Sequence, residues 1–132
     1  MTGGITLDLL PERAALMRFR AGTRIPAWTD QATQFLSVTR TPDELSVAVD
    51  AAVVPADVTA VRDYRVFRVR GPMPLELVGI MAALAVPLAE AGVPILPIAS
   101  HDTDYILVRE ADVARAREAL ERMGHVVMEP GR

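Results

Sequence analysis

The chain has 132 residues, 51% hydrophobic and 23% charged, with a formal charge of −3, the size and balance of one compact domain or of two half-size modules. It has no cysteine, which excludes disulfide frameworks, thiolate metal sites and cysteine nucleophiles and fits a reducing, cytoplasmic setting. The 14 basic residues, all arginine, are outnumbered by 17 acidic ones, which argues against a nucleic-acid partner, and the apolar run over 77–89 is shorter than the roughly 20 residues of a membrane span.

The opening Met-Thr-Gly-Gly carries no basic region followed by an apolar run, so neither a secretory nor a transit signal is expected. Residues 6–10 and 13–19 read as strands and 25–32 as a short helix, with Trp28 as an apolar anchor for the core of an N-terminal module. From Phe35 a strand, a polar turn at Thr41-Pro42-Asp43 and an alternating strand through Leu45, Val47 and Val49 predict a hairpin.

The signals sharpen in the second half. Residues 64–70 alternate, with Phe67 and Val69 on one face and Arg68 and Arg70 on the other, as in a half-buried strand. Gly71-Pro72-Met73-Pro74 ends it, and Pro74 is placed to open a helix running to about residue 91. Leu77, Ile80, Met81, Leu84 and Leu88 form its apolar face, Pro87 should kink it, and Gly92 supplies the stop. Residues 93–99 contain Pro94 and Pro97, which cannot donate to a ladder, so this strand is expected at a sheet edge. A polar turn, Ser100-His101-Asp102-Thr103-Asp104, leads into a strand over 105–109, an amphipathic helix over 111–123 and a short strand over 125–128. His125 is expected to be structural.

Strand, helix, strand, strand, helix, strand is the βαββαβ order of the ferredoxin-like fold. A shift of 61 positions lays Thr39 on Ser100, Asp43 on Asp104, Leu45 on Ile106, Val47 on Val108 and Pro26 on Pro87. The expectation is an α+β chain of two tandem modules with antiparallel sheets, 1–62 and 63–132, the first with an abbreviated first helix.

In such a sheet the loop after the first strand and the turn between the second and third emerge at the same end. Residues 71–75 and 100–104 should therefore be neighbours. Backbone N–H groups near Pro74 and Glu76, at the expected helix start, would attract an anion such as an α-carboxylate. Asp102 and Asp104 would hold an α-ammonium, while Ser100, His101 and Thr103 add hydrogen-bonding capacity. The competing reading is that these residues only shape a hairpin turn. His101, Asp102 and Asp104 suit a divalent ion too, but no second ligand cluster accompanies them, and no metal is expected. The sequence has no Gly-rich phosphate loop, nucleophile elbow or paired carboxylates with a candidate base, so neither an enzyme nor a cofactor is expected.

The segments Phe35-Leu-Ser-Val-Thr-Arg-Thr-Pro-Asp-Glu-Leu-Ser-Val, Arg70-Gly71-Pro72, the helix from Gly79-Ile80 through Pro87 to Gly92, and Ala99-Ser-His-Asp-Thr-Asp-Tyr-Ile-Leu-Val108 resemble the small tandem ACT-domain proteins related to the CASTOR arginine sensors. The resemblance implies a non-catalytic regulatory protein that binds a free amino acid between ACT domains. By position, the ligand would meet Met73, Pro74, Leu75, Leu77 and Gly79 on one side and Ser100, His101 and Asp104 on the other, with Glu76, Asp102 and Thr103 adjacent. This chain departs from the pattern in two places. Ala99-Ser100-His101 stands where the relatives have Ser-Thr-aromatic, and Leu77 stands where an acidic residue helps to hold arginine. A smaller or more apolar amino acid fits as well as arginine. A homodimer would restore the four domains of the larger sensors. The alternative is an ACT-fold interaction module without a ligand, acting on an unidentified regulated protein through its surface.

Overall fold

The computed structural model describes residues 4–74 and 76–130. The fold is mixed α+β, and the chain divides into two compact units: an inner one, Glu12–Tyr64, and a split one made of the residues up to Pro11 together with those from Arg65 on.

The split unit contains strand β1 (Thr6–Leu9) and, after the inner unit's β2 (Ala14–Arg20), β3 (Leu36–Arg40) and β4 (Glu44–Asp50), the later part of β5 (Val61–Val69). It continues with helix α1 (Ile80–Glu90), β6 (Leu96–Ala99), β7 (Asp104–Arg109), helix α2 (Val113–Arg122) and β8 (Val126–Met128). Its strand order is β6-β7-β5-β1-β8. Alternation places Leu7, Leu9, Phe67, Val69, Ile106, Val108 and Val127 in a core that Ile80, Leu84 and Leu88 of α1 and Ala116 and Leu120 of α2 close. As the prolines require, β6 pairs with β7 and with no other strand among the described residues, with Pro94 ahead of the strand and Pro97 inside it.

Three expectations are corrected here. The first strand does not belong with an N-terminal module: β1 lies between β5 and β8, antiparallel to β5 with Leu7 opposite Val69, and parallel to β8 with Leu7 opposite Val127. Its alternation says that one face is buried but not against which partner. The insertion also means that the sheet is not wholly antiparallel. Finally, α1 starts at Ile80 rather than at Pro74, because Gly79 takes the left-handed conformation (φ +88°) as its N-cap, a geometry that favours glycine. Pro87 lies inside the helix, which runs on to Glu90.

The inner unit orders its strands β3-β4-β2-β5, using the first part of β5, with β2 antiparallel to both β4 and β5 and β3 antiparallel to β4. The expected first helix is a five-residue 3-10 turn, Ala27–Gln31, and the connection between β4 and β5 holds only a second one, Ala51–Val53. Pro26 and the Val53-Val54-Pro55 run disfavour longer helices. Side chains do the bonding that helices would have done. Asp50, 5% exposed, accepts from the backbone N–H of Thr33, Gln34 and Phe35, each at 2.9 Å. Arg62 donates to the carbonyls of Val54, Pro55 and Val58 at 3.3, 2.8 and 2.6 Å. Met17, Leu45, Val47 and Val49 form this unit's core, with Trp28 packed against it.

Candidate functional site

The two segments expected to be neighbours meet at one end of the split unit. The backbone N–H of Met73 donates to the carbonyl of Asp102 at 2.7 Å, and Thr103 Oγ1 donates to the carbonyl of Val69 at 2.7 Å, pinning the turn onto the end of β5. The Gly71–Pro72 peptide between them is cis. A β-carbon at Gly71 would stand 3.2 Å from Thr103 Cβ and 3.3 Å from the Asp102 carbonyl. Backbone therefore approaches backbone here because residue 71 has no side chain.

The contact leaves an open cleft of about 170 Å³ lined by Met73, Pro74, Leu77, Ser100, His101, Asp102, Thr103 and Asp104, together with Ile80 and Ala99. Glu76 is exposed and, like Gly79, does not line it, and Leu75 lies outside the described residues. Helical spacing marks Ile80 as core and gives no sign that it also reaches the cleft wall. The expected row of helical N–H groups at Pro74 and Glu76 is not there. The Leu77 N–H closes a turn onto the carbonyl of Pro74 at 3.1 Å, and the first residue of α1 on the cleft wall is Ile80.

Within the turn, two roles separate. Ser100 Oγ donates to the Thr103 carbonyl at 2.9 Å and accepts from the Thr103 N–H at 3.4 Å, so its hydroxyl is engaged in the turn itself. His101 and Asp102 pair with each other at 3.0 Å with side chains 85% and 75% exposed, where water screens the pair strongly. Asp104 stands at the start of β7, opposite Ala99, and its carboxylate has no hydrogen-bond or ion-pair partner among the described residues. Nor do any three His, Asp or Glu side chains among the described residues form a group that could hold a metal ion. Beside the cleft Leu77 is 47% and Val78 83% exposed. Among the described residues no helix is long and apolar enough to cross a membrane.

An unpartnered carboxylate, the first residue of a helix and an apolar rim thus surround one small volume. Comparison with known proteins bears on the fold. Residues 59–122 match the family model described as ACT domain, and residues 13–57 match a second model described as an N-terminal domain. No curated protein matches the chain. Among solved structures, the protein Atu0741 of Agrobacterium tumefaciens is 30% identical, with 99% of this chain and 97% of that one covered and a TM-score of 0.90. A Vibrio cholerae protein, VC0802, described as of unknown function and possibly in transport, is 21% identical over 92% of this chain and 91% of its own, with a TM-score of 0.70. The regulatory subunit of aspartate kinase from Thermus thermophilus shares the fold at 14% identity, covering 93% of this chain and 99% of its own, with a TM-score of 0.61. The chain thus belongs to the same family as Atu0741 and carries an ACT domain over residues 59–122.

Proposed function

We propose that the protein is a non-catalytic regulator that binds a free amino acid in the cleft between the loop at Met73, Pro74 and Leu77 and the turn from Ser100 to Asp104. The observation that carries this reading is the lone carboxylate of Asp104 in a cleft whose other wall holds Ile80, the first residue of α1. A zwitterion satisfies both: its ammonium meets Asp104, and its carboxylate meets the electropositive helix N-terminus. The volume, well under the roughly 300–1,000 Å³ of sites for drug-sized ligands, suits a small molecule. Leu77 on the wall, with Glu76 turned to solvent, favours a smaller or more apolar side chain than arginine.

On this reading the two units are the tandem modules of an ACT sensor. A second copy of the chain covers Leu77 and Val78 in a cytoplasmic homodimer, so that ligand binding and association are linked. A thermal-shift panel of free amino acids tests the proposal. At least one should stabilise the chain, by about 2.7 kcal/mol at one hundred times its Kd, and Asp104→Ala should abolish that shift while leaving the unliganded melting temperature within a few degrees. A shift that survives Asp104→Ala puts the ligand elsewhere. A panel without any stabiliser favours instead an ACT-fold interaction module, for which the exposed pair Leu77 and Val78 is the contact surface.

A further inference from the structure

The sheet face opposite the helices of the split unit carries a second, larger cavity, about 440 Å³, on the far side of Asp102 and Thr103 from the cleft. Asp8 lines it and is only 2% exposed, yet it sits under two guanidinium groups. Arg68 donates to Asp8 Oδ2 at 3.0 Å, and Arg70 grips both oxygens, with Nε on Oδ2 at 3.3 Å and a terminal N–H on Oδ1. The strand pairing accounts for this arrangement, since Asp8 stands opposite Arg68 in the β1–β5 register and Arg70 follows two residues on, on the same face.

One carboxylate neutralises one of the two guanidinium charges. Arg68 spends a single N–H on Asp8, leaving further donors of its fork without a protein acceptor among the described residues, and its side chain is 42% exposed at the cavity wall. Arg70 is 52% exposed beside it. Asp102, the other acid at the rim, is 75% exposed and pairs with His101. Pro72, Tyr105 and Pro130 supply apolar wall. An exposed excess of guanidinium donors held in place from beneath by a buried acid is an arrangement for recognising an oxyanion.

We infer that this cavity is a second ligand site, separate from the cleft, which takes the carboxylate or phosphate group of a small organic anion on Arg68 and Arg70, with its apolar part against Tyr105 and the two prolines. The full chain, labelled with nitrogen-15, is titrated with succinate and with inorganic phosphate at fixed ionic strength while the amide signals of Gly71, Thr103 and Tyr105 are followed. Saturable shifts with either anion are expected, and whichever binds more tightly tells a carboxylate site from a phosphate site. Arg68→Gln should weaken binding about tenfold, the worth of one charge-assisted hydrogen bond. Arg18→Gln, which removes the same charge from the inner unit, should leave it within about twofold. Failure of both anions to saturate the shifts, or Arg68→Gln binding as tightly as the parent chain, would overturn the inference.

Discussion

His125 makes up for the donor that Pro87 lacks. A proline has no N–H, so the carbonyl four residues earlier, that of Ala83, has no partner from that position of α1; the His125 Nε2–H donates to that oxygen at 3.2 Å. The ring's Nδ1 accepts the Ile5 N–H at 3.0 Å, which fixes the neutral tautomer and joins α1 to the segment before β1.

Replacing His125 by Leu strands two buried polar groups and should cost about 2–4 kcal/mol in urea unfolding. Pro87→Ala restores the helical donor to Ala83, so the double variant should lose less than the sum of the single ones. Strict additivity would show that the two residues do not share this carbonyl.

The Asp8 carboxyl is held below the ordinary aspartate range, above all by the hydrogen bonds from Arg70, with Arg68 adding to the effect and burial opposing it. A depressed folded-state value contributes stability that is present above the unfolded value of about 3.9 and is lost as the pH falls through the folded value. Asp8→Asn should therefore be less stable than the parent at pH 7, and the gap between their denaturation midpoints should close progressively below about pH 4. A gap that stays constant down to pH 2 would contradict this assignment.

The turn that separates the two cavities depends on Thr103. Thr103→Val keeps the shape and removes the bond to the Val69 carbonyl, at an expected cost of about 1–2 kcal/mol. Gly71→Ala pushes a methyl group toward Thr103 Cβ and the Asp102 carbonyl. It should weaken any amino acid found by the panel more than it lowers the melting temperature, as comparison of the two shifts in the same assay would reveal.

In the inner unit, Asp50→Ala releases three backbone donors at once and should cost about 3 kcal/mol or more, among the larger losses for a single substitution. Arg62→Ala removes the complementary donor to three carbonyls. Amide exchange should quicken first at residues 33–35 in the former and around Val58 in the latter; uniform quickening across the chain would argue against such local roles.

Much of the split unit is legible from residue order, because its signals are local. Alternation at Phe67-Arg68-Val69-Arg70 orients β5, the two prolines place β6 at an edge, and the helical spacing from Ile80 to Leu88 gives the buried face of α1. The neighbourhood of residues 71–74 and 100–104 followed from connectivity alone. The onset of α1 did not, since Pro74 and Gly79 both offer a start and only the backbone conformation chooses between them.

What the sequence by itself determined is the set of elements and the polar turn at their end: composition, periodicity and turn chemistry act over a few residues and need no partner. Only the tertiary structure decided where β1 pairs, that Asp50 and Arg62 replace helices in the inner unit, and that Asp8 lies beneath Arg68 and Arg70. These are contacts between residues far apart in the chain. A strand's pattern specifies a buried face but not its neighbour, and a buried charge persists only where folding delivers its counter-charge.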